Sequence, residues 1–206
     1  MLNASELECV RGERRLFTSL SFELTPHTLL EVRGANGSGK TSLLRMLCGL
    51  LTPTAGYIAW NGDDIRSSRE EYCAQIAYIG HLNGIKDELS GLENLQFALR
   101  AAGLAASAES ADAALRELGL DGFQHLPCKT LSQGQRRRVA LARLSLSATR
   151  PLWVLDEPFT ALDTVALSLT QSLLESHMRD GGMLVLSTHQ DVPVAARSTH
   201  RIELKS

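Results

Sequence analysis

A glycine-rich segment between an apolar run and an amphipathic segment constrains this chain more than any other feature. Residues 34–41 read GANGSGKT and fit the pattern GxxxxGK[ST]. They follow the apolar run 29–32 and lead into the helix-period segment 41–51, which is the strand–loop–helix context that the pattern requires. Glycines permit positive φ and close backbone approach, so successive N–H groups and the helix start can surround phosphate oxygens. The sequence therefore predicts a phosphate-binding loop at 34–41.

The residue types in this loop predict how a nucleotide and its metal ion are held. We expect Lys40 to reach the β- and γ-phosphates and Thr41 to ligate Mg²⁺. A nucleotide that carries β- and γ-phosphates is therefore predicted to bind together with Mg²⁺. The residues expected to contact them in and beside the loop are Gly34, Ala35, Asn36, Gly37, Ser38, Gly39, Lys40, Thr41 and Ser42.

Two carboxylates follow a second apolar run. The run 152–155 ends in Asp156 and Glu157, which places both at the carboxyl edge of a parallel sheet, where ligand sites of α/β proteins form. We expect Asp156 to orient Mg²⁺ and its water shell. Glu157 is the candidate general base, because in-line attack on a γ-phosphate needs a positioned proton acceptor.

Short β-favouring runs alternate with longer helix-period segments along the chain, which predicts an α/β fold with a largely parallel sheet. Helices are expected at 162–177 and in the segment after His189. The Ala/Leu-rich stretch 90–148 is interpreted as a helical insertion. Its predicted helices span 98–114, 111–120 and 136–147, and the three arginines 136–138 are expected to be solvated or to face another subunit.

Charge and apolar pattern argue against a nucleic-acid-binding protein, a signal peptide and a membrane-spanning segment. Lys and Arg number 21 against 23 Asp and Glu, for a net charge of −2, so nucleic acid is not an expected partner. The amino terminus lacks the features of a signal peptide, and the longest apolar stretch, 43–51, is interrupted by Arg45 and far shorter than a membrane span. Any action at a membrane is therefore expected to go through a partner.

Four segments in order carry a resemblance to a known family. GANGSGKT, LSQGQ, LWVLDEPFTALD and STHQ together resemble the ATP-binding subunits of ABC transporters. The resemblance implies an ATPase with a P-loop NTPase fold of the ABC type, in which a mostly parallel core sheet is joined by an antiparallel β subdomain and an inserted helical subdomain. It covers 1–206 as one ABC ATPase domain, with 1–88 and 150–206 as the nucleotide-binding core and 89–149 as the helical subdomain that carries the signature.

The same resemblance implies roles for further residues. Ser132 and Gly134 in LSQGQ match the signature, which in this family closes on nucleotide held by a second copy of the ATPase, so a homodimer is implied. Residues 161–163 match the D-loop. His189 matches the switch histidine, which contacts the γ-phosphate and joins Glu157 as a catalytic residue.

Two positions depart from the family pattern. His81 stands where the glutamine of the Q-loop is expected, so it is a predicted nucleotide-site residue whose protonation would make this loop sensitive to pH. The aromatic residue that stacks on adenine is also missing from 9–14. Arg11 is the candidate replacement, since a guanidinium can stack on the base.

The departure at His81 narrows the resemblance further. Residues 78–86 and 92–95, together with Leu89, resemble the haem exporter ATPases of cytochrome c maturation. That resemblance implies a peripheral protein on the cytoplasmic face of the bacterial inner membrane, paired with multispanning membrane subunits and linked indirectly to a haem chaperone. ATP hydrolysis would then drive release of the haem-loaded chaperone or export of haem.

Other functions stay open at this stage. The chain could serve another small-molecule ABC exporter, or it could be a soluble ABC-type ATPase that acts on ribosomes or DNA. The latter usually carry two cassettes or long coiled-coil inserts, and neither is present here. A nucleotide-binding scaffold without turnover is disfavoured because Lys40, Asp156, Glu157 and His189 are all intact.

Overall fold

A computed structural model describes residues 1–104 and 107–205 of the chain. The strands are β1 (Leu2–Arg11), β2 (Arg14–Leu24), β3 (Thr28–Gly34), β4 (Ala55–Trp60), β5 (Asp63–Asp64), β6 (Ile76–Ile79), β7 (Leu152–Asp156), β8 (Met183–Ser187) and β9 (Ser198–Leu204). The helices are α1 (Lys40–Leu47), α2 (Arg69–Ala74), α3 (Gly91–Ala101), α4 (Ala108–Glu117), α5 (Gln133–Leu141) and α6 (Thr164–Arg179).

A parallel sheet with the order β6-β7-β8-β3-β9 forms the centre of the fold. In register, Asp156 at the end of β7 lies beside Ser187 at the end of β8. Because β3 is the other neighbour of β8, its last residue Gly34 reaches the same edge. The predicted α/β fold is confirmed, and the three strand ends form one edge at which a ligand site can form.

The central strands β7 and β8 are buried along their whole length and are almost entirely apolar, because both faces of the sheet are covered there, whereas the edge strand β9 is largely exposed and polar. In β7, Leu152 and Val154 join one hydrophobic core, and Trp153 and Leu155 join another. The first of these cores also holds residues of α1 and of the second sheet. The other core lies against α3 to α6, where its members include Leu95, Leu115, Val139 and Leu174.

The second sheet is antiparallel, with the order β2-β1-β4-β5. Its β1–β2 hairpin lies against the start of α1. A Cβ added to Gly39 would lie 3.1 Å from Leu16 Cβ and 3.2 Å from Phe17 Cδ1. The hairpin therefore packs directly on the predicted phosphate loop, which needs glycine at this point.

Helix bounds differ from the predicted ones in the insertion. In place of a helix over 98–114, α3 ends at Ala101 and α4 begins at Ala108, and residues 105 and 106 lie outside the described residues. Gly103, with φ of 71°, turns the chain after α3, and the Ser107 hydroxyl caps α4 by accepting from Ser110 N. Helix propensity alone predicts one continuous helix here, whereas a glycine and a capping serine separate two helices.

One other helix prediction is wrong, and another gives a helix that is too long. The segment after His189, residues 190–197, contains no helix and runs irregularly to β9, because Pro193 lacks an N–H donor and the Arg197 N–H bonds to His27 O instead. The predicted helix 136–147 ends at Leu141, and a short 3₁₀ turn, Ser145–Ser147, follows. In the described part of the chain, no helix is both long and apolar enough to cross a membrane.

Candidate functional site

The predicted phosphate loop, residues 34–41, adopts the backbone conformation that its glycines predict. Gly34, Gly37 and Gly39 all have positive φ, at 141°, 79° and 106°. Position 34 also has no room for a side chain, since a Cβ there would lie 2.4 Å from the Leu204 carbonyl oxygen of β9. The loop and α1 border a cavity of about 580 Å³ at the carboxyl edge of the parallel sheet.

Lys40, the first residue of α1, is almost fully buried, and its ammonium group lies inside the loop. Its Nζ donates to the carbonyl oxygens of Gly34 at 2.8 Å and Ala35 at 3.2 Å. It also donates to His189 Nε2 at 3.0 Å, in the tautomer that leaves this nitrogen without a proton. The loop thus presents one fixed cation at the floor of the cavity.

Asp156 is a buried carboxylate with two hydroxyl partners. Its Oδ2 accepts from Thr41 Oγ1 at 2.8 Å, and its Oδ1 accepts from Ser187 Oγ at 2.6 Å. Only 1% of its surface is exposed, and no cationic side chain in the described part of the chain forms an ion pair with it. Sequence reasoning missed Ser187, because the sequence shows only a polar residue at the end of the apolar run 183–187, and the pairing of β8 with β7 brings it to Asp156.

Glu157 has a backbone conformation that is unusual for its residue type, with φ of 52°. Its N–H donates to Ser187 O at 3.2 Å and to Ser187 Oγ at 3.0 Å. Its Oε1 lies 3.3 Å from His189 Nε2 without hydrogen-bond geometry and, among the described residues, has no hydrogen-bond partner. A buried carboxylate oxygen is therefore left free to accept a proton or a hydrogen bond beside the cavity.

Most of the predicted nucleotide-site residues share this cavity. Three of the predicted loop residues do not line it: Gly34 and Ala35 accept hydrogen bonds from Lys40 through their carbonyl oxygens, and Ser38 is buried. Three lining residues were not predicted, namely Leu16, Thr160 and Gln190. The predicted residues that line the cavity are Asn36, Gly37, Gly39, Lys40, Thr41, Ser42, His81, Asp156, Glu157 and His189.

The signature residues do not line the cavity. Ser132 caps α5 in a capping box, in which its Oγ accepts from Gln135 N at 3.2 Å and its N–H donates to Gln135 Oε1 at 2.8 Å. A Cβ on Gly134 would lie 2.5 Å from the Ala161 carbonyl oxygen. Within one chain, the close backbone approach at Gly134 is thus to the 161–163 segment.

The predicted adenine partner lies apart from the cavity lining. Arg11 ends β1 and pairs with Arg14 across the hairpin. The β2 residue that lines the cavity is Leu16, and Arg14 Nη1 lies 3.8 Å from the point where a Cβ on Gly37 would be. An apolar side chain and a nearby guanidinium therefore occupy the side of the cavity next to the hairpin.

Arg137 is not a solvated residue, in contrast to its prediction. It is 4% exposed, and its guanidinium donates to the carbonyl oxygens of Asp156, Glu157 and Gly80 at 2.7, 2.9 and 3.1 Å. Burial lowers the pKa of this guanidinium below its ordinary value. A run of three arginines at a helix start gave no sign that the middle one would be enclosed.

The chain is similar to known proteins along nearly its whole length. The family model described as ABC transporter matches residues 17–160. A cytochrome c biogenesis ATP-binding export protein of Nitrosomonas europaea is 50% identical over 99% of this chain and 95% of its own length. Its counterpart in Dechloromonas aromatica is 51% identical over 99% of this chain and all of its own. The chain belongs to this family of ABC transporter ATPases.

Solved structures agree on the fold. The ATP-binding subunit of an ABC transporter has a TM-score of 0.80 at 28% identity and covers 91% of this chain and 79% of its own. A dimeric bacterial ABC transporter cassette has a TM-score of 0.84 at 24% identity, and the match covers 100% of this chain and 94% of the cassette. The ABC ATPase fold is thereby confirmed.

Proposed function

We propose that the cavity binds ATP with Mg²⁺ and that Glu157 is the general base for attack of water on the γ-phosphate. The observation that carries this proposal is Glu157 Oε1, which accepts no hydrogen bond from residues 1–104 or 107–205 and is buried beside the cavity, 3.3 Å from His189 Nε2. Because no described group donates to this oxygen, both of its lone pairs are available to a water molecule and its proton. Glu157 is held in place through its backbone, and its carboxylate is left open at the reacting end.

Lys40 and the loop amides would bind the triphosphate. The Lys40 ammonium donates to two loop carbonyls and a histidine nitrogen, and phosphate oxygens are stronger acceptors than any of these. Movement of Lys40 towards phosphate would free His189 Nε2. His189 could then turn from Lys40 to the γ-phosphate and the attacking water, next to Glu157.

The donors around Asp156 fit Mg²⁺. The buried Asp156 carboxylate, which pairs with no cationic side chain of the described residues, and the hydroxyl of Thr41, 2.8 Å away, offer the hard oxygen ligands that this ion prefers. Thr41 and Asp156 would hold it together with phosphate oxygens. When bound, Mg²⁺ would neutralise charge on the β- and γ-phosphates. Ser187 keeps Asp156 oriented through its 2.6 Å hydrogen bond.

Ser132 and Gly134 would act on ATP held by a second copy of the chain. In support, they open α5 and lie outside the cavity of their own chain. The helix start has backbone N–H groups suited to an anion. Two of the similar solved structures are described as dimeric. We take 89–149 as the helical subdomain that brings this helix start to the partner's cavity.

The similarity to cytochrome c biogenesis ATP-binding export proteins supports a specific transport system for this chain. We propose that it powers a cytochrome c biogenesis export complex, as a peripheral subunit bound to multispanning membrane subunits on the cytoplasmic face of the bacterial inner membrane. Its cycle would release a haem-loaded chaperone or export haem. The loop that carries His81 also presents Leu82, which is 83% exposed, and this loop is our candidate contact for the membrane subunits.

One experiment tests both the base and the system. The tagged Glu157→Gln variant is purified with Mg-ATP from native membranes, and its companions are identified by mass spectrometry, with the wild-type chain in ADP as control. Slow hydrolysis, a trapped dimer and companions from cytochrome c maturation would support the proposal. Unrelated membrane subunits would favour a different exporter, and ribosomal or DNA-bound companions would overturn the role in transport.

A further inference from the structure

Arg137 is a buried cation that joins three separate segments. It lies on α5, just after the signature residues, and 4% of it is exposed. Its Nη2 donates to the carbonyl oxygens of Asp156 and Glu157, and its Nη1 donates to the Gly80 carbonyl at 3.1 Å and to Asn83 Oδ1 at 3.0 Å. Carbonyl and amide oxygens surround the guanidinium, which forms no ion pair with a described carboxylate.

One set of these contacts fixes the peptide groups around Glu157. A non-glycine residue with φ of 52° is strained and persists only when its surroundings hold it. Ser187 holds the N–H of Glu157, and Arg137 holds the carbonyl groups of Asp156 and Glu157 on either side of that residue. Arg137 therefore helps to fix the backbone from which the Glu157 side chain extends.

The other set of contacts holds the loop that carries His81. Gly80 and Asn83 flank His81 and Leu82. Arg137 therefore forms hydrogen bonds to the loop on both sides of these two residues. Arg143 Nη2 donates to the Asn83 carbonyl at 2.9 Å. A displacement of this loop or of α5 must therefore displace the Arg137 guanidinium or break its bonds.

We propose that Arg137 is a positioning residue for ATP hydrolysis, which holds Glu157 in its working direction and transmits to it displacements of the His81 loop and of α5. The planar guanidinium suits this role because its donors point in fixed directions and reach both segments at once. Lysine has one donor centre and cannot bridge them in the same way. The proposal rests on the proposed role of Glu157 as general base.

The test is a double-mutant cycle in the full chain as isolated from its native membranes. Arg137→Lys is measured alone and in the Glu157→Gln background, by steady-state kinetics and by single-turnover assays with radiolabelled ATP. We expect Arg137→Lys to lower kcat by roughly tenfold or more and to change the KM for ATP by less than about twofold. A misplaced catalytic group slows the chemical step but leaves ATP binding intact. In the Glu157→Gln background, its effect should fall below about twofold.

Two further variants separate positioning from folding. Asn83→Ala removes only the side-chain bond to the loop, so we expect a smaller fall in kcat with an unchanged melting temperature. Arg138→Lys is the matched control on the same helix, because Arg138 donates to the carbonyls of Leu118 and Gly119, away from the cavity. It should keep the wild-type kcat.

The outcomes distinguish the two proposals. If Glu157→Gln is slow but Arg137→Lys lowers the rate by the same factor in both backgrounds, Arg137 does not act through Glu157 and the inference fails while the base assignment stands. A raised KM with unchanged kcat in Arg137→Lys would also overturn the inference. If Glu157→Gln hydrolyses ATP at the wild-type rate, the base assignment fails and the inference fails with it.

Discussion

His177 should make the stability of this protein fall steeply with acid. Its ring is stacked on Trp153, with ring centroids 3.8 Å apart and planes within 3°, and its Nε2 lies 3.3 Å from the Met183 carbonyl oxygen. It also covers Gly182, where a Cβ would lie 2.2 Å from Nε2. Burial lowers the pKa of His177 from 6.5 to about 4, because a charged imidazolium would lose its hydration here.

The size and sign of the effect follow from that pKa. The unfolded chain binds a proton at His177 near pH 6.5 and the folded chain only near pH 4, so acid favours unfolding between these values. The contribution of His177 to the free energy of unfolding should fall by about 1 kcal/mol at pH 6 and about 2 kcal/mol at pH 5, relative to neutral pH. Below pH 4 the loss levels off.

Urea unfolding followed by circular dichroism at several pH values measures this loss. His177→Phe keeps the stacked ring and removes the titrating group, so wild type should lose about 2 kcal/mol more than this variant between pH 7 and pH 5. His200→Gln, at an exposed position on β9, is the control and should follow the wild-type curve. A constant difference between wild type and His177→Phe across this range would refute the reasoning.

Three other changes test the site. Glu157→Gln should lower kcat roughly a hundredfold or more while ATP binding persists, as single-turnover assays and nucleotide titration would measure. Ser187→Ala removes the hydroxyl that holds Asp156 and should cost about 1.5–3 kcal/mol by urea unfolding, with weaker Mg²⁺ dependence of the ATPase. Gly134→Ala places a Cβ 2.5 Å from the Ala161 carbonyl oxygen, so the melting temperature and ATPase rate should both fall.

Matched controls accompany these variants. Ser145→Ala also removes a buried hydroxyl, but one without a hydrogen-bond partner among the described residues, so it should cost less than Ser187→Ala. Gly91→Ala on α3 meets only ordinary contacts of 3.4 Å or more and should be tolerated better than Gly134→Ala. Equal losses within either pair would show that the specific contacts are not responsible.

The sequence predicted well whatever depends on neighbours along the chain. The loop at 34–41 needs glycines for positive φ and a helix start for its amides, so its spacing identifies it before any tertiary contact is known. Asp156 and Glu157 were placed correctly at the sheet edge, because an apolar run that ends in carboxylates indicates a buried parallel strand. Four motifs in one order were also enough to indicate the family.

Contacts between distant segments were beyond the sequence. Ser187 meets Asp156 only because β7 and β8 pair in register, and Gly134 meets Ala161 only because α5 packs on the loop before α6. Arg137 looks like a surface residue until the Glu157 turn and the His81 loop close around it. The sequence by itself determined the local backbone features, such as the glycine turns and the helix start of the loop at 34–41. The tertiary structure decided which groups became hydrogen-bond partners and which became buried, because both depend on distance in space and not on distance along the chain.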